Sequence, residues 1–314
     1  MTEITLLSNP TPSAVPNPNE RQNTQTQETK HDDTPPDPEF PKPKYRLHVE
    51  DLRHPASSPF NAEFAQLAAV LDNALKQIIQ YLYTPPHVSK SDPEPKGQRP
   101  YFHPSIPPTR SVTIILRDFD GVAYTTGTDI DNDHKEIHVS LKYLHSLDIH
   151  KSRTSDPVRE ITGFLTHELV HCYQHTAPVD DGSGKTIPQP PGGLIEGIAD
   201  FVRLKAGLQA THWKKPQSSE QRAAKWDAGY QNTAFFLAWI EDVWVGKGAI
   251  GMLNDRLLRT GYIGEGDDKD LDSGEPGFWV GLFGIGVDDL WDEYGRYLDS
   301  PSTAAEGHKD KHHA

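Results

Sequence analysis

Cysteine is almost absent from this sequence, since Cys172 is the only one among 314 residues. A single cysteine excludes an intramolecular disulfide, which is consistent with a reducing compartment. Apolar runs are also short: none approaches the roughly 18 residues that a transmembrane helix requires, so we expect no membrane span. The N-terminus lacks a basic segment followed by a long apolar one. We therefore expect no signal peptide, and we predict the compartment as cytoplasmic or unknown.

Positive charge is in deficit. The chain carries 31 Lys and Arg residues against 45 Asp and Glu residues, which gives a net charge of −14. A protein that binds nucleic acid normally presents a basic patch, and we find none in the sequence, so nucleic acid is not an expected partner. The excess of acidic residues favours solubility instead.

Large apolar residues are scarce near both ends of the chain. Residues 1–44 are rich in proline and polar residues after Leu7, and they cannot bury enough surface to offset the entropy of ordering. We therefore expect a disordered tail there, followed by one domain over 45–300. A proline-rich surface loop is expected at 84–110, and residues 301–314 form a polar, His-rich tail.

Short strand patterns precede a series of helical patterns within the domain. β-branched residues and partial alternation predict strands at 45–49, 111–118, 122–126 and 136–141, with the second and third forming a hairpin. Apolar steps of three and four predict helices at 59–83, 157–175, 193–208 and 246–261. They predict two more, one from near Glu220 to Ile240 and a closing helix that contains Leu290 and Leu298. This order predicts an α+β fold in which a small mixed or antiparallel sheet packs on a helix and the C-terminal part is mostly helical.

The helix predicted at 157–175 contains His167-Glu168-Leu169-Val170-His171, an HExxH pattern. Residues four apart lie on one helical face, so the two imidazoles can bind one Zn²⁺ and Glu168 can act on a water molecule beside it. So short a pattern also arises by chance. Its surroundings favour a function, because polar groups in a largely apolar helix are costly unless something pairs with them.

Catalytic zinc usually takes a third protein ligand, and the sequence offers two candidates for it, Glu196 and His175. Glu196 opens the helix predicted at 193–208, and Asp200 follows one turn later, placed to accept a hydrogen bond from a ligating imidazole. Alternatively, both are ordinary charges near a helix N-terminus. His175 lies about 80° around its helix from His167, so it is the weaker ligand candidate and fits a surface position better.

Two blocks resemble the plant basic secretory protein family, also called peptidases of plants and bacteria: Ile161 to His175 and Pro191 to Leu208. Similar further blocks are Asp120 to Gly127, Ile137 to Ser140 and Gly229 to Leu237, so the resemblance covers about 110–300, with Tyr45 as an alternative start. It implies a zincin-like fold in which His167, His171 and Glu196 bind zinc and Glu168 is the acid/base. The chain departs from the family name in being acidic and lacking a visible signal, so the compartment is not carried over.

Peptide hydrolysis at such a site also needs a donor for the oxygen that gains charge. Tyr230, in a block that resembles the family, is the candidate catalytic residue, although a core position suits it equally well, and His212 is a second candidate. The strand at 136–141 could offer its edge to an extended peptide.

Three functions stay open. The first is a zinc-dependent metallopeptidase, with Glu168 as general base and a peptide or protein as substrate. The second is a zinc hydrolase of a non-peptide amide or ester, and the third is a non-catalytic zincin-like binding protein. The complete set of His167, Glu168, His171 and Glu196 favours an enzyme, because a binding module has no need of Glu168. We expect a monomer.

Overall fold

A four-stranded mixed sheet forms the first part of the fold. The computed structural model describes residues 40–85, 102–147, 156–178, 189–263 and 276–300. The strands are β1 (Lys44–Val49), β2 (Ser111–Arg117), β3 (Ala123–Thr128) and β4 (Asp131–Ser140), in the spatial order β1-β2-β4-β3. β1, β2 and β4 run parallel, whereas β3 runs antiparallel to β4. The prediction of an α+β fold with a small mixed sheet is confirmed.

The strand pairing differs from the prediction at β3. The predicted hairpin of β2 and β3 is wrong, because β3 pairs with one side of β4, with Thr125 opposite Ile137, and β2 pairs with the other side. β4 is thus an interior strand, so 136–141 offers no free edge, and β3 lies at the edge instead. Apolar alternation indicates which face is buried but not which strand is the neighbour.

The helix that carries HExxH packs against the sheet. It is α4 (Pro157–His171), and it begins as predicted: the carboxylate of Asp156 accepts a hydrogen bond of 3.0 Å from the backbone N–H of Arg159. Almost all its later residues are buried. It ends at His171, not at the predicted His175, because the next two backbone N–H groups each donate to the carbonyl three residues back, which tightens the turn.

The apolar pattern at 59–83 belongs to two helices, α1 (Ser57–Glu63) and α2 (Leu67–Leu82). Phe64 leaves the helical conformation, which ends α1, and its ring stacks on that of Phe60 with centroids 4.9 Å apart. Both rings are buried, so the break preserves their contact while α2 turns its own apolar face inward. Steps of three and four fit one helix or two, so they do not locate the break.

The C-terminal part is mostly helical, as predicted. Its helices, with the short one after the sheet, are α3 (Leu141–Leu147), α5 (Gly192–Lys205), α6 (Tyr230–Trp239), α7 (Ala249–Thr260), α8 (Phe278–Phe283) and α9 (Val287–Leu298). A π-helical turn, Ile240–Trp244, continues α6. The core of this part is aromatic: the ring of Phe236 contacts those of Trp239, Trp279, Trp291 and Tyr294.

The helix predicted from near Glu220 is wrong over its first half. Only a short 3₁₀ turn, Ser219–Gln221, forms there, and α6 begins at Tyr230. The backbone is extended at Arg222, whose guanidinium lies 4.4 Å over the ring of Trp291. Anchoring of this side chain on α9 therefore replaces the helix that the local pattern favoured.

Several predictions fall outside the described residues. These are most of the tail at 1–44, the tail at 301–314 and the middle of the loop at 84–110. The described residues from Pro41 onward belong to one compact unit. Across those stretches, every helix is too short or too polar to cross a bilayer.

Candidate metal centre

Three potential ligand atoms from α4 and α5 face one point. Nε2 of His167 lies 3.0 Å from Oε2 of Glu196 and 3.1 Å from Nε2 of His171, and the last two atoms are 3.7 Å apart. Within the described residues, this is the group whose geometry could hold a metal ion. The sequence prediction named the same three residues, so the structure brings the expected set together.

The spacing of these atoms suits a small cation. A point equidistant from all three lies about 1.9 Å from each, close to the usual 2.0–2.2 Å of zinc bonds to nitrogen and carboxylate oxygen. Two imidazole nitrogens and one carboxylate oxygen at one point are costly neighbours unless a proton or a cation lies between them. The residues therefore fit a bound metal.

Asp200 sets the orientation of His167. Its carboxylate is 2% exposed and accepts a hydrogen bond of 2.7 Å from Nδ1, which leaves Nε2 facing Glu196 and His171. Burial lowers the pKa of His167, but the hydrogen bonds with Asp200 and Glu196 outweigh it and raise that pKa to about 9. Without a metal, the ring is thus a cation at neutral pH, and a metal would replace the proton on Nε2.

Glu196 reaches the centre because α5 lies very close to the chain before α6. A Cβ on Gly193 would overlap the carbonyl oxygen of Asp227, and one on Gly197 would overlap the side chain of Thr233. Both glycines are therefore required by close packing on either side of Glu196. Partial burial raises the pKa of Glu196, but the hydrogen bond from His167 and the nearby ring of His171 outweigh it and lower that pKa to about 2.

Gln174 holds the other histidine, a contact that the sequence did not predict. Its amide nitrogen lies 3.0 Å from Nδ1 of His171, while its amide oxygen is buried without a hydrogen-bond partner among the described residues. Rotating the amide by half a turn exchanges the two atoms, so that the oxygen accepts from Nδ1–H and Nε2 keeps its lone pair for a metal. The end of α4 at His171 puts Gln174 in reach.

Thr125 holds the candidate base, and this contact was also missed. Its hydroxyl lies 2.7 Å from Oε2 of Glu168 and 2.9 Å from the backbone carbonyl of the same residue. Thr125 is on β3, on the face that packs against α4, and Glu168 is only 6% exposed. The hydroxyl has one proton, and the shorter distance favours donation to the carboxylate.

Tyr230, the candidate catalytic residue, lies beside His167 in the cleft. Its ring is nearly parallel to that of His167, with centroids 6.1 Å apart, and the side chain is 57% exposed, so it is not a core residue. It has φ of +47°, a strained value for a non-glycine residue. The charge of Glu196, and then burial, raise the pKa of the phenol, which therefore keeps its proton.

His175, the other ligand candidate, lies away from the ligand group, whereas His212, the second donor candidate, lines the cleft. Nε2 of His175 is 2.8 Å from the carbonyl of Ser105, and its backbone N–H donates to Asn254, which holds the residue away from the ligand group. His212 is exposed and lines the same cleft as the ligands, next to Trp213. The cleft has a volume of about 1050 Å³ and is lined by all the site residues described above except His175.

A candidate metal centre next to a held carboxylate, in an open cleft, is typical of a hydrolase. Comparison with protein families identifies the kind: the model described as "Peptidase of plants and bacteria" (BSP) matches residues 42–294. The chain therefore belongs to this peptidase family, as its sequence blocks indicated. Searches of the curated proteins and of the solved structures found no match.

Proposed function

We propose that the protein is a zinc-dependent metallopeptidase of zincin-like fold. The observation that carries this proposal is the convergence of His167, His171 and Glu196 beside the carboxylate of Glu168. Two imidazoles and one carboxylate are a common donor set of catalytic zinc, whereas calcium and magnesium prefer oxygen ligands throughout. Family membership supports a peptide or protein as the substrate.

The three ligands would hold the ion, with Asp200 and Gln174 orienting the imidazoles. When bound, zinc supplies Lewis acidity, which makes a water molecule more acidic and polarises a carbonyl group. Glu168 accepts a proton from the attacking water and delivers it to the leaving amine. The hydroxyl of Thr125 keeps one carboxylate oxygen occupied and leaves the other for that transfer.

Tyr230 is the proposed donor to the carbonyl oxygen as that oxygen gains negative charge. Its exposed position beside His167 and its retained proton suit this role. A conformation with positive φ also places strain at this residue, which is common where geometry serves catalysis.

The substrate backbone is proposed to lie along β3. This strand is at the edge of the sheet, and the hydroxyl of Thr125 from the same strand contacts Glu168. An extended peptide can pair with such an edge through main-chain hydrogen bonds. β3 thus takes the role first expected of 136–141. Because the site is complete within one chain, we propose a monomer whose catalytic domain is 45–300.

Cleavage of a broad peptide library tests the proposal. The zinc-loaded protein should cleave peptides, a chelator should stop cleavage and added zinc should restore it. Glu168→Gln should lower kcat by a factor of about 10² to 10⁴. If only esters or non-peptide amides are hydrolysed, the second function that the sequence left open replaces this one. If wild type and Glu168→Gln are equally inert while both contain zinc, the protein is a binding module.

A further inference from the structure

One end of the cleft forms a pocket that the proposed chemistry does not use. We call it the side pocket and define it by six lining residues of the cleft that are linked by mutual contacts or by sequence: Tyr143, Glu160, Phe164, Arg203, His212 and Trp213. Glu160 precedes His167 by seven residues on α4, and Arg203 follows Glu196 by seven on α5. Seven residues are two helical turns, so both side chains lie roughly 10 Å along their helices from the metal ligands.

The bottom of the side pocket is an ion pair. Nη2 of Arg203 donates to Oε2 of Glu160 at 3.0 Å, and the two side chains are 8% and 21% exposed. Nε of Arg203 donates to the carbonyl of Leu208, and the guanidinium lies 5.1 Å over the ring of Trp213. Gly163 permits this, because a Cβ there would lie 2.7 Å from the guanidinium. The opposite charges compensate each other.

The rest of the side pocket is aromatic. The rings of Tyr143 and Phe164 lie edge to face with centroids 6.0 Å apart, and Trp213 forms another wall. Burial, and then the charge of Glu160, raise the pKa of the Tyr143 phenol, so this wall is uncharged. The pocket therefore offers flat apolar surfaces above a neutralised floor.

The direction of β3 relates the side pocket to the scissile bond. The backbone carbonyl of Val122, just before β3, accepts from Ser140, and the Ser140 hydroxyl accepts from the backbone N–H of Tyr143. The start of β3 thus lies at the side-pocket end. The inference takes the peptide to pair antiparallel to β3, which runs it towards that end and puts the side chain of the residue just after the scissile bond there.

We propose that the side pocket selects an aromatic side chain on the first residue after the scissile bond. This inference rests on the proposed peptidase function and specifies its substrate. Because Arg203 and Glu160 neutralise each other, a cationic or anionic side chain gains little net attraction there and loses its hydration. A flat neutral ring meets Tyr143, Phe164 and Trp213 and leaves the ion pair intact.

The test uses peptides that differ only at this residue, with Phe, Tyr, Ala, Lys or Glu. The zinc-loaded protein should cleave the Phe and Tyr peptides with kcat/KM about tenfold or more above that for Ala, and Lys and Glu should fall below Ala. The Glu168→Gln protein should bind the same peptides in the same order, which measures the preference without cleavage.

Variants locate the preference in the side pocket. Trp213→Ala should reduce the ratio of kcat/KM for the Phe peptide to that for the Ala peptide to about twofold, and the exposed neighbour Lys214→Ala should retain the full ratio. If Trp213→Ala does not fold, Tyr143→Leu serves the same purpose. Equal use of Phe and Ala, or a preference for Lys or Glu, overturns the inference. If no peptide is cleaved, the proposed function fails separately, and the binding order still decides the preference.

Discussion

Replacing Asp200 by alanine should weaken zinc binding. The buried carboxylate accepts from Nδ1 of His167 at 2.7 Å, so alanine leaves that N–H buried without its acceptor and removes a negative charge beside the ligand. Partners of this kind contribute a factor of about 10 to 100 to metal affinity, or about 1.4 to 2.8 kcal/mol. The zinc dissociation constant should rise by that factor. Asp200→Asn should lose less, because its amide oxygen can still accept.

Competition with a chromophoric chelator at fixed pH measures the change, with circular dichroism to confirm the fold. Asp242→Ala is a matched control, since Asp242 also pairs with a residue of α5, Lys205, but its side chain is 46% exposed. The control should bind zinc as wild type does. A dissociation constant for Asp200→Ala within twofold of wild type, in a folded protein, would refute the role assigned to this carboxylate.

Further predictions concern the residues that hold the candidate metal centre, the packing next to it and its dependence on pH. Thr125→Val should lower kcat by about 10- to 100-fold with zinc content and KM unchanged, because a hydrogen bond to the charged Glu168 is lost. Thr125→Ser keeps the hydroxyl and should have the wild-type rate. Equal rates for wild type, Thr125→Val and Thr125→Ser would contradict the contact with Glu168. Gly193→Ala should lower the unfolding free energy by about 1–3 kcal/mol or more, because the added Cβ overlaps the backbone of Asp227. Gly192→Ala is the control and should not lower it, since a Cβ there meets no described atom within 4 Å. Equal denaturant midpoints for the two variants would contradict this packing. Because the pKa of His167 is raised to about 9, zinc must displace a proton from this ring at any lower pH. The zinc affinity measured by calorimetry should therefore rise about tenfold per pH unit between about 7 and 9. An affinity that does not change with pH in this range would contradict the raised pKa. The raised pKa also means that the protonated ring stabilises the metal-free fold. The unfolding free energy of the metal-free protein should therefore fall as pH rises from about 6.5 through 9.

The candidate metal centre was largely predictable because its members lie at short, regular spacings. The capping residue and proline at Asp156 and Pro157 indicated where α4 begins, and the four-residue step put His167 and His171 on one face. Glu196 came from a second motif, and Asp200 from the next turn of the same helix. Helical periodicity alone therefore places His171 relative to His167 on α4, and Asp200 relative to Glu196 on α5.

Contacts that join distant segments were not predictable in the same way. Thr125 lies 43 residues before Glu168, and it reaches it only because β3 pairs with β4 at the sheet edge. Gln174 reaches His171 only because α4 ends where it does. A single sequence carries no signal for strand order or for the residue at which a tightened turn ends a helix, so these contacts had to come from the structure.

Zinc content per chain is the most direct test of the account. After dialysis against trace metal-free buffer, elemental analysis should find one zinc per chain in wild type and in Glu168→Gln, because Glu168 is not a ligand. His171→Ala and Glu196→Ala should lose most of it, since each removes one of the three atoms that face the common point. Wild type without zinc after zinc loading, or either ligand variant retaining one zinc per chain, would contradict the proposed centre.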